Sequence, residues 1–328
     1  MSKKKYLLLI PIVLLVCLCL FEYLFFTNQI SSMQSESASS SVQTPLDIVH
    51  FDNANSRDTY FNIHNVKAAQ QVSNGEGIKV GILDHSFAVK KHDGLYAGSM
   101  DFTNNPSGMN YDESHGYWMA CVLREIAPKC EIYALCTYSD SEMAEVKNIV
   151  EAIDWAIEND IDILTYSGEA FTDGYRADID AAVDKAVENG IVTTFIHYDN
   201  PNNIWPVGLW PLNSEKMSRD ADLNIFPYDY NTFFVKNYIE YMAETDAFKR
   251  SQMMPIFMSI SSTSPVTAGF VAILKSVNNN LTPQEYKDIL INTSYSMDYY
   301  DYWMDRQIKS ERVVDIKKAL DFIMENKP

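Results

Sequence analysis

The sequence predicts an α/β domain in which a mainly parallel central sheet carries helices on both of its faces. From about residue 57 onward, short apolar runs alternate with amphipathic segments of helical periodicity. The apolar runs are continuous, which is typical of strands that are buried on both faces of a sheet. Such alternation of strands and helices favours parallel strands that are joined by helical crossovers.

Four strands follow from the continuous runs. The run GIKVGILD at 77–84 is apolar up to its last residue, the charged Asp84. The other predicted strands are EIYALC at 131–136, IDILTYS at 161–167 and IVTTFIH at 191–197. Ligands of such sheets bind where the carboxyl ends of the strands open into loops. Polar residues at those ends are therefore candidate site residues.

Helices are predicted between these strands and after them. In residues 145–160, Ile149 and Ile153 fall on one face, as an amphipathic helix requires. The helix at 178–190 ends at Gly190, and glycine is the residue that most often terminates a helix in the left-handed conformation. Further helices are expected at 115–126, from Pro265 onward, from Thr282-Pro283 onward, at about 314–326 and, within the otherwise unassigned stretch 201–258, near 232–245.

The amino terminus differs in composition from the predicted domain at 45–328. Residues 1–5 include three lysines, and the mostly apolar run at 6–26 has about the length that crosses a bilayer as a helix. The lysines predict that residues 1–5 stay in the cytoplasm as a short stub. The Ser-rich composition of segment 27–44 then predicts a flexible linker. These features predict a single-pass protein of the cell membrane with its domain on the extracytoplasmic side.

Two other interpretations of the amino terminus stay open. A cleaved secretory signal has an apolar region of about 7–15 residues followed by a site of small residues. Here the apolar run is longer, and the small residues cluster well beyond it, from Ser37 to Ser41. A lipid-modified Cys17 is the third interpretation, although the bulky Val16 precedes it. All three interpretations export the domain.

The overall charge excludes one class of partner. The 328 residues include 26 Lys and Arg against 44 Asp and Glu, which gives a formal net charge of −18. Nucleic-acid binding needs clustered basic residues, so we expect no nucleic-acid partner.

No cofactor or metal site is assigned from the sequence. Cys121, Cys130 and Cys136 lack zinc-ligand spacing with histidines, and we expect them to be free thiols. The oxygen-rich run DNANSRD at 52–58 suits calcium in chemistry, although a solvated turn is the simpler interpretation.

Three side chains at the ends of predicted elements suggest hydrolytic chemistry. Asp84 closes a strand, His115 opens a helix, and Ser261 lies just before another helix. A serine nucleophile needs a base that takes its proton and a buried acid that orients the base. The order Asp, His, Ser along the chain is one of the known orders of such triads.

The segments around these residues resemble the subtilisin-like serine proteases. GIKVGILDHS is similar to the aspartate strand of that family, and SHGYWMACVLREIAPK is similar to its histidine motif and the helix that follows. SISSTSPVTAG is similar to its serine motif, with Pro265 and Gly269 in matching places. The resemblance extends over about 60–325, with a poorer match from about 201 to 255. It implies the subtilisin-like three-layer fold and an Asp84, His115, Ser261 triad.

The resemblance also implies binding residues. Tyr166, Ser167 and Gly168 match the strand that binds substrate, and the run DAAVDKAVENGIVTTFIHYDN leads toward the oxyanion asparagine of the family. An ungapped match puts Asp199 at that place, and Asn200 follows it. An amide N–H stabilises an oxyanion whereas a carboxylate repels it, so Asn200 is the preferred candidate for an active enzyme.

These observations support two functional hypotheses. The first is a membrane-anchored extracytoplasmic serine endopeptidase that acts on polypeptide substrates. The second is an inactive pseudoprotease that binds or scaffolds peptides, because Tyr117, Trp118, Ser259 and Ile260 depart from the family motifs. A hydrolase of the α/β-hydrolase type is disfavoured, since that type runs Ser, Asp, His along the chain and needs Gly-x-Ser-x-Gly around its serine.

Overall fold

The computed structural model describes residues 63–92, 94–103, 109–168, 171–208, 221–225, 260–301 and 306–326. All of them belong to Ile48–Pro328, one of the two compact units into which the chain divides. The predicted anchor at 6–26, the linker with its boundary at 44, the oxygen-rich run at 52–58 and the helix expected near 232–245 lie outside the described residues. Within the described ranges, no helix has both the length and the apolar character that a bilayer crossing requires.

A five-stranded parallel sheet forms the centre of the domain, as the sequence predicted. Its order is β2-β3-β1-β4-β5, so β1 lies in the middle with β3 and β4 beside it. The strands are β1 (Lys79–Asp84), β2 (Gly98–Asp101), β3 (Glu131–Cys136), β4 (Ile163–Tyr166) and β5 (Val192–Phe195).

Seven α-helices accompany the strands in the described residues. They are α1 (Val66–Gln70), α2 (His115–Ile126), α3 (Glu142–Glu158), α4 (Asp173–Glu188), α5 (Thr263–Val277), α6 (Pro283–Thr293) and α7 (Ile316–Glu325). Gly190 has the left-handed conformation that was expected after the helix before it, with φ of 81°. Helix α6 begins with a capping box, in which Thr282 and Glu285 bond to each other's backbone N–H.

Helices cover both faces of the sheet, and β1 shows why. Val80 and Ile82 point into one apolar cluster, which α2, α5, α6 and α7 complete. Leu83 points into the other cluster, which α3 and α4 complete. Because successive side chains of a strand point to opposite faces, a continuous apolar strand needs helices on both sides. The predicted layered α/β architecture is confirmed.

The sequence did not predict a second sheet of four strands. It has the order β6-β7-β9-β8, with β8 and β9 antiparallel. Its strands are β6 (Pro206–Gly208), β7 (Leu223–Ile225), β8 (Tyr295–Asp301) and β9 (Arg306–Val313). Strand β2 of the central sheet was also missed, because its four residues are largely exposed and carry no apolar run.

The cysteines within the described residues are free, as expected. Burial raises the pKa of Cys121 to about 11 and the pKa of both Cys130 and Cys136 to about 12. Because the thiolate is the nucleophilic form, these neutral thiols are structural residues at physiological pH.

Candidate active site

Asp84 lies at the carboxyl end of the central strand β1. Its side chain is only 4% exposed, and its Oδ1 accepts a hydrogen bond of 2.7 Å from the backbone N–H of His85. A buried carboxylate needs such partners to stay charged. The place is also the edge of the sheet where ligands of parallel α/β folds bind.

His115 begins helix α2 and faces this carboxylate directly. Its Nδ1 lies 2.7 Å from Oδ2 and 2.9 Å from Oδ1 of Asp84. With the Nδ1 proton donated to the carboxylate, the lone pair of the neutral ring is on Nε2, which is the arrangement of a general base. Burial of the ring opposes protonation, but the charge of Asp84 and its hydrogen bond outweigh that effect and raise the pKa of His115.

Gly116 explains why the start of α2 can approach β1 so closely. Its backbone N–H donates a hydrogen bond of 2.8 Å to the carbonyl of His85. A Cβ atom at this position would lie 2.3 Å from that carbonyl oxygen and 2.8 Å from the ring of Phe87. A side chain would therefore push His115 away from Asp84.

Ser261 lies in a turn of 3-10 helix, Ile260–Ser262, that leads directly into α5. It is partly exposed, whereas the three hydroxyl residues after it, Ser262, Thr263 and Ser264, are 4% exposed or less. The Ser264 hydroxyl is held by Thr165 Oγ1 at 2.7 Å and by the carbonyl oxygens of Tyr166 and Thr194. Exposure therefore favours Ser261 within this run.

Two contacts bring the serine segment to the same edge of the sheet. Ser167 follows β4 and donates a hydrogen bond of 2.7 Å to the carbonyl of Ser261. Farther along α5, Gly269 packs against Ile126 of α2, and a Cβ there would lie 2.5 Å from the Ile126 side chain. The serine helix thus packs directly on the histidine helix.

A cleft of about 430 Å³ opens beside the Asp84–His115 pair. Aromatic and acidic side chains form much of its wall, and the predicted substrate segment contributes as well. The lining includes Asp84, His85, His115, Tyr138, Asp140, Glu142, Glu145, Tyr166, Ser167, Gly168 and Phe171.

Tyr166 lies inside the sheet, not at its edge. Strand β4 pairs with β1 on one side and with β5 on the other, and the Tyr166 carbonyl accepts from the backbone N–H of Ile196. The backbone of Ser167 and Gly168 lies beyond the last paired residue. Strand-type pairing with a substrate would therefore begin at Ser167, and the role of this segment stays a prediction.

The two oxyanion candidates point elsewhere in this structure. Asn200 is 8% exposed, and its side-chain NH₂ donates to Asp180 Oδ1 at 3.0 Å and to the Tyr198 hydroxyl at 3.1 Å. Asp199 is exposed, and its carbonyl accepts from Arg176. Neither residue is among those that line the cleft, and Ser261 is not among them either. The structure brings Asp84 and His115 together, but it directs the Asn200 amide at α4.

His85, the residue after Asp84, was not a candidate from the sequence, because it lacks the glycine and the helix that follow His115. Its ring stacks on that of His115 with centroids 5.9 Å apart, and its Nε2 is 4.0 Å from Asp84 Oδ1. One ligand-type atom from each of Asp84, His85 and His115 fits within 4.8 Å of the others. The signal in the sequence was its position, since a residue that directly follows a strand-end carboxylate lies beside it.

Two characterised proteins share detectable sequence similarity with the chain, although no protein-family model matches it. The minor extracellular protease Epr of Bacillus subtilis (strain 168) is 27% identical over 128 residues, which cover 36% of this chain and 19% of that protein. Subtilisin DY of Bacillus licheniformis is 29% identical over 137 residues, which cover 38% of this chain and 48% of that protein. The matched segment thus spans less than half of either relative.

Several solved structures share the fold. A lanthipeptide protease superposes with a TM-score of 0.55 at 12% identity, covering 80% of this chain and 94% of that one. MycP1 from Mycobacterium smegmatis gives 0.56 at 13% identity, with 86% and 88% covered. Fervidolysin from Fervidobacterium pennivorans, a keratinolytic enzyme related to subtilisin, gives 0.53 at 15% identity, with 78% and 44% covered. In sequence and in fold, the chain is a divergent relative of the subtilisin-like proteases.

Proposed function

We propose that the chain is a membrane-anchored extracytoplasmic serine endopeptidase. The observation that carries this proposal is the hydrogen-bonded pair of Asp84 and His115 at the carboxyl edge of the sheet. In the proposed reaction, His115 Nε2 takes the proton of the Ser261 hydroxyl as its oxygen attacks the peptide carbonyl. The protonated His115 gives that proton to the leaving amine, and water then hydrolyses the acyl-enzyme. Asp84 keeps the ring in its tautomer throughout.

The start of α5 is the best-supported source of oxyanion stabilisation. Ser261 lies in the 3-10 turn that leads into this 15-residue helix, and the helix dipole places partial positive charge at that end. Such a helix start stabilises negative charge, as an oxyanion hole requires. Asn200 would first have to release Asp180 and Tyr198. We therefore assign the oxyanion to backbone N–H groups around Ser261.

The cleft indicates what kind of polypeptide would bind. Tyr138 and Phe171 offer aromatic surface beside His115, on which a large side chain can pack. Asp140, Glu142 and Glu145 line the same cleft, so a positively charged side chain would be favoured over an acidic one. An extended substrate can add its backbone to that of Ser167 and Gly168.

The location of the enzyme is proposed from the sequence. The apolar run at 6–26 would anchor it with residues 1–5 inside, and the linker at 27–44 would hold the catalytic domain away from the membrane. The first relative is described as an extracellular protease, which agrees with an exported domain.

An inactive peptide-binding module is the alternative function. Two observations favour it. The amide of Asn200 is bonded to Asp180, and Ser259-Ile260 stands where the serine motif of the subtilisin-like proteases has Gly-Thr. The cleft and its aromatic wall would then serve binding alone.

Peptide hydrolysis by the full chain, purified in detergent micelles, separates these functions. The substrate is a random-sequence peptide library, and mass spectrometry detects new amino termini. We expect cleavage by the wild type and by Ser262→Ala, and none by Ser261→Ala. A folded wild type that leaves the library intact would contradict the protease and support the binding module.

A further inference from the structure

The Asp84–His115 pair has a third potential ligand beside it that hydrolysis does not use. Within the described residues, Asp84, His85 and His115 form a group whose ligand atoms lie within 4.8 Å of one another. We propose that this group binds a divalent transition-metal ion such as Zn²⁺, and that the bound ion switches off the proposed peptidase. The inhibitory part of this inference rests on the proposed function, whereas the binding part does not.

Two of the three ligands already have a suitable arrangement. Both carboxylate oxygens of Asp84 face the Nδ1 atom of His115, at 2.7 and 2.9 Å. Zn²⁺ lies about 2.0–2.1 Å from such nitrogen and oxygen ligands, so tetrahedral ligand atoms are about 3.3 Å apart. An ion can therefore replace the shared proton if the pair separates by only about half an ångström.

His85 supplies the third ligand atom. Its Nδ1 lies 2.9 Å from Ser86 Oγ, and when that nitrogen donates to the hydroxyl, the lone pair is on Nε2. Nε2 is 4.0 Å from Asp84 Oδ1, and the side chain is 35% exposed, so the ring has room to move closer. A hydrogen bond from the other ring nitrogen is the usual way in which proteins orient a metal-binding histidine.

The ligand chemistry selects the class of ion. Two imidazoles and one carboxylate suit Zn²⁺ and its neighbours among the transition metals, whereas Ca²⁺ and Mg²⁺ prefer oxygen ligands. The exposed side of the cleft leaves the fourth coordination position to water.

Metal binding at Nδ1 would remove the general base. A neutral imidazole that offers its Nδ1 lone pair to a metal carries its single proton on Nε2. Nε2 then has no lone pair with which to accept the proton of Ser261. The same ion also takes Asp84 away from its role of holding the catalytic tautomer.

The test is a titration of the untagged full chain with Zn²⁺ alone by calorimetry, on the wild type and two variants. His85→Gln removes the third ligand. The matched control is His92→Gln, because His92 is a second partly exposed histidine that lies 2.8 Å from a carboxylate, that of Glu113. We expect the wild type and His92→Gln to bind one ion alike, and His85→Gln to bind at least about tenfold more weakly. Equal binding by all three proteins, or no binding by any of them, would overturn the inference.

A second measurement tests inhibition separately. Labelling by a fluorophosphonate probe should be blocked by Zn²⁺ in the wild type, restored by EDTA, and much less sensitive to Zn²⁺ in His85→Gln. Labelling that persists in metal-bound wild type would overturn the inhibitory part. A wild type that is not labelled even without metal would contradict the proposed peptidase, while calorimetry would still decide whether the metal site exists.

Discussion

The two sides of the candidate site are organised by different kinds of contact. On the acid–base side, Asp84 and His115 meet through side-chain hydrogen bonds of 2.7 and 2.9 Å. On the nucleophile side, Ser261 is bonded through its backbone carbonyl to Ser167, and the buried Asn200 directs its amide at Asp180 and Tyr198.

This difference shows which parts of the site are preorganised for chemistry. The first side needs a strand end, a helix start and one glycine, and all three are in place. In the proposed mechanism the second side depends on backbone N–H groups around Ser261, because the side-chain amide of Asn200 is already bonded to Asp180 and Tyr198. Variants on each side should therefore respond differently.

Asp84→Asn should give the largest effect. We expect kcat for peptide hydrolysis to fall by about 10⁴-fold, because a neutral amide no longer selects the catalytic tautomer of His115. Asp101→Asn is the matched control, since Asp101 ends strand β2 of the same sheet and accepts hydrogen bonds from Thr103. Equal kcat values for the two variants would show that the Asp84 carboxylate has no special role in the reaction.

Gly116→Ala should follow in size. The added Cβ would lie 2.3 Å from the His85 carbonyl oxygen, so α2 and its His115 must shift. We expect kcat to fall by about 10²-fold, because a displaced catalytic group reacts more slowly. The free energy of unfolding, measured in urea, should fall by about 1–3 kcal/mol. Gly174→Ala in α4 meets no heavy atom within 4 Å and should leave kcat unchanged. A Gly116→Ala enzyme with wild-type kcat would show that the close approach is dispensable.

The pH at which His115 becomes protonated tests the acid–base side in a second way. Burial lowers its pKa, but the facing carboxylate of Asp84 reverses that effect, and the net pKa is raised above 6.5. The neighbouring His85 on the loop after β1 has a lowered pKa, chiefly through burial, and so stays neutral over this range. Since a base works in its neutral form, activity should fall as the pH drops through this raised pKa.

NMR of the imidazole resonances measures this titration without any substrate. We expect the wild-type midpoint to lie above 6.5 and the Asp84→Asn midpoint to lie lower. An identical His115 midpoint in the wild type and in Asp84→Asn would contradict the electrostatic coupling of the pair.

Asn200→Ala should have the smallest effect on catalysis. Because its amide serves Asp180 and Tyr198, we expect kcat to change by less than about tenfold, with about 1–3 kcal/mol less stability to urea from the lost buried hydrogen bonds. An oxyanion donor would instead cost about 10²–10³-fold in kcat. That larger loss at unchanged stability would show that Asn200 turns toward the substrate.

The sequence predicted the central architecture because its signals are local. Strand β1 is a continuous apolar run that ends in Asp84, and His115-Gly116 opens a segment of helical spacing. Parallel packing brings strand ends to one edge of the sheet, and the resemblance to the subtilisin-like serine proteases implied the pairing of Asp84 with His115.

The missed features depend on contacts that no local pattern carries. Strands β6 and β7 have three residues each, too few for a periodic signal, and the two paired strands are far apart along the chain. The environment of Asn200 is set by Asp180, on a helix that an apolar core positions. The stacking of His85 on His115 likewise follows from the approach of α2 to β1.

The proposed peptidase is tested most directly by locating the bond that a fluorophosphonate forms with the full chain. Peptide mapping by mass spectrometry, applied to the wild type and to His115→Ala, measures both the site and the rate of modification. We predict a phosphonate on the Ser261 oxygen in the wild type, and a rate at least about 10³-fold lower in His115→Ala, because the base is gone. An adduct on another serine, no adduct on folded protein, or a rate that does not depend on His115 would contradict the account.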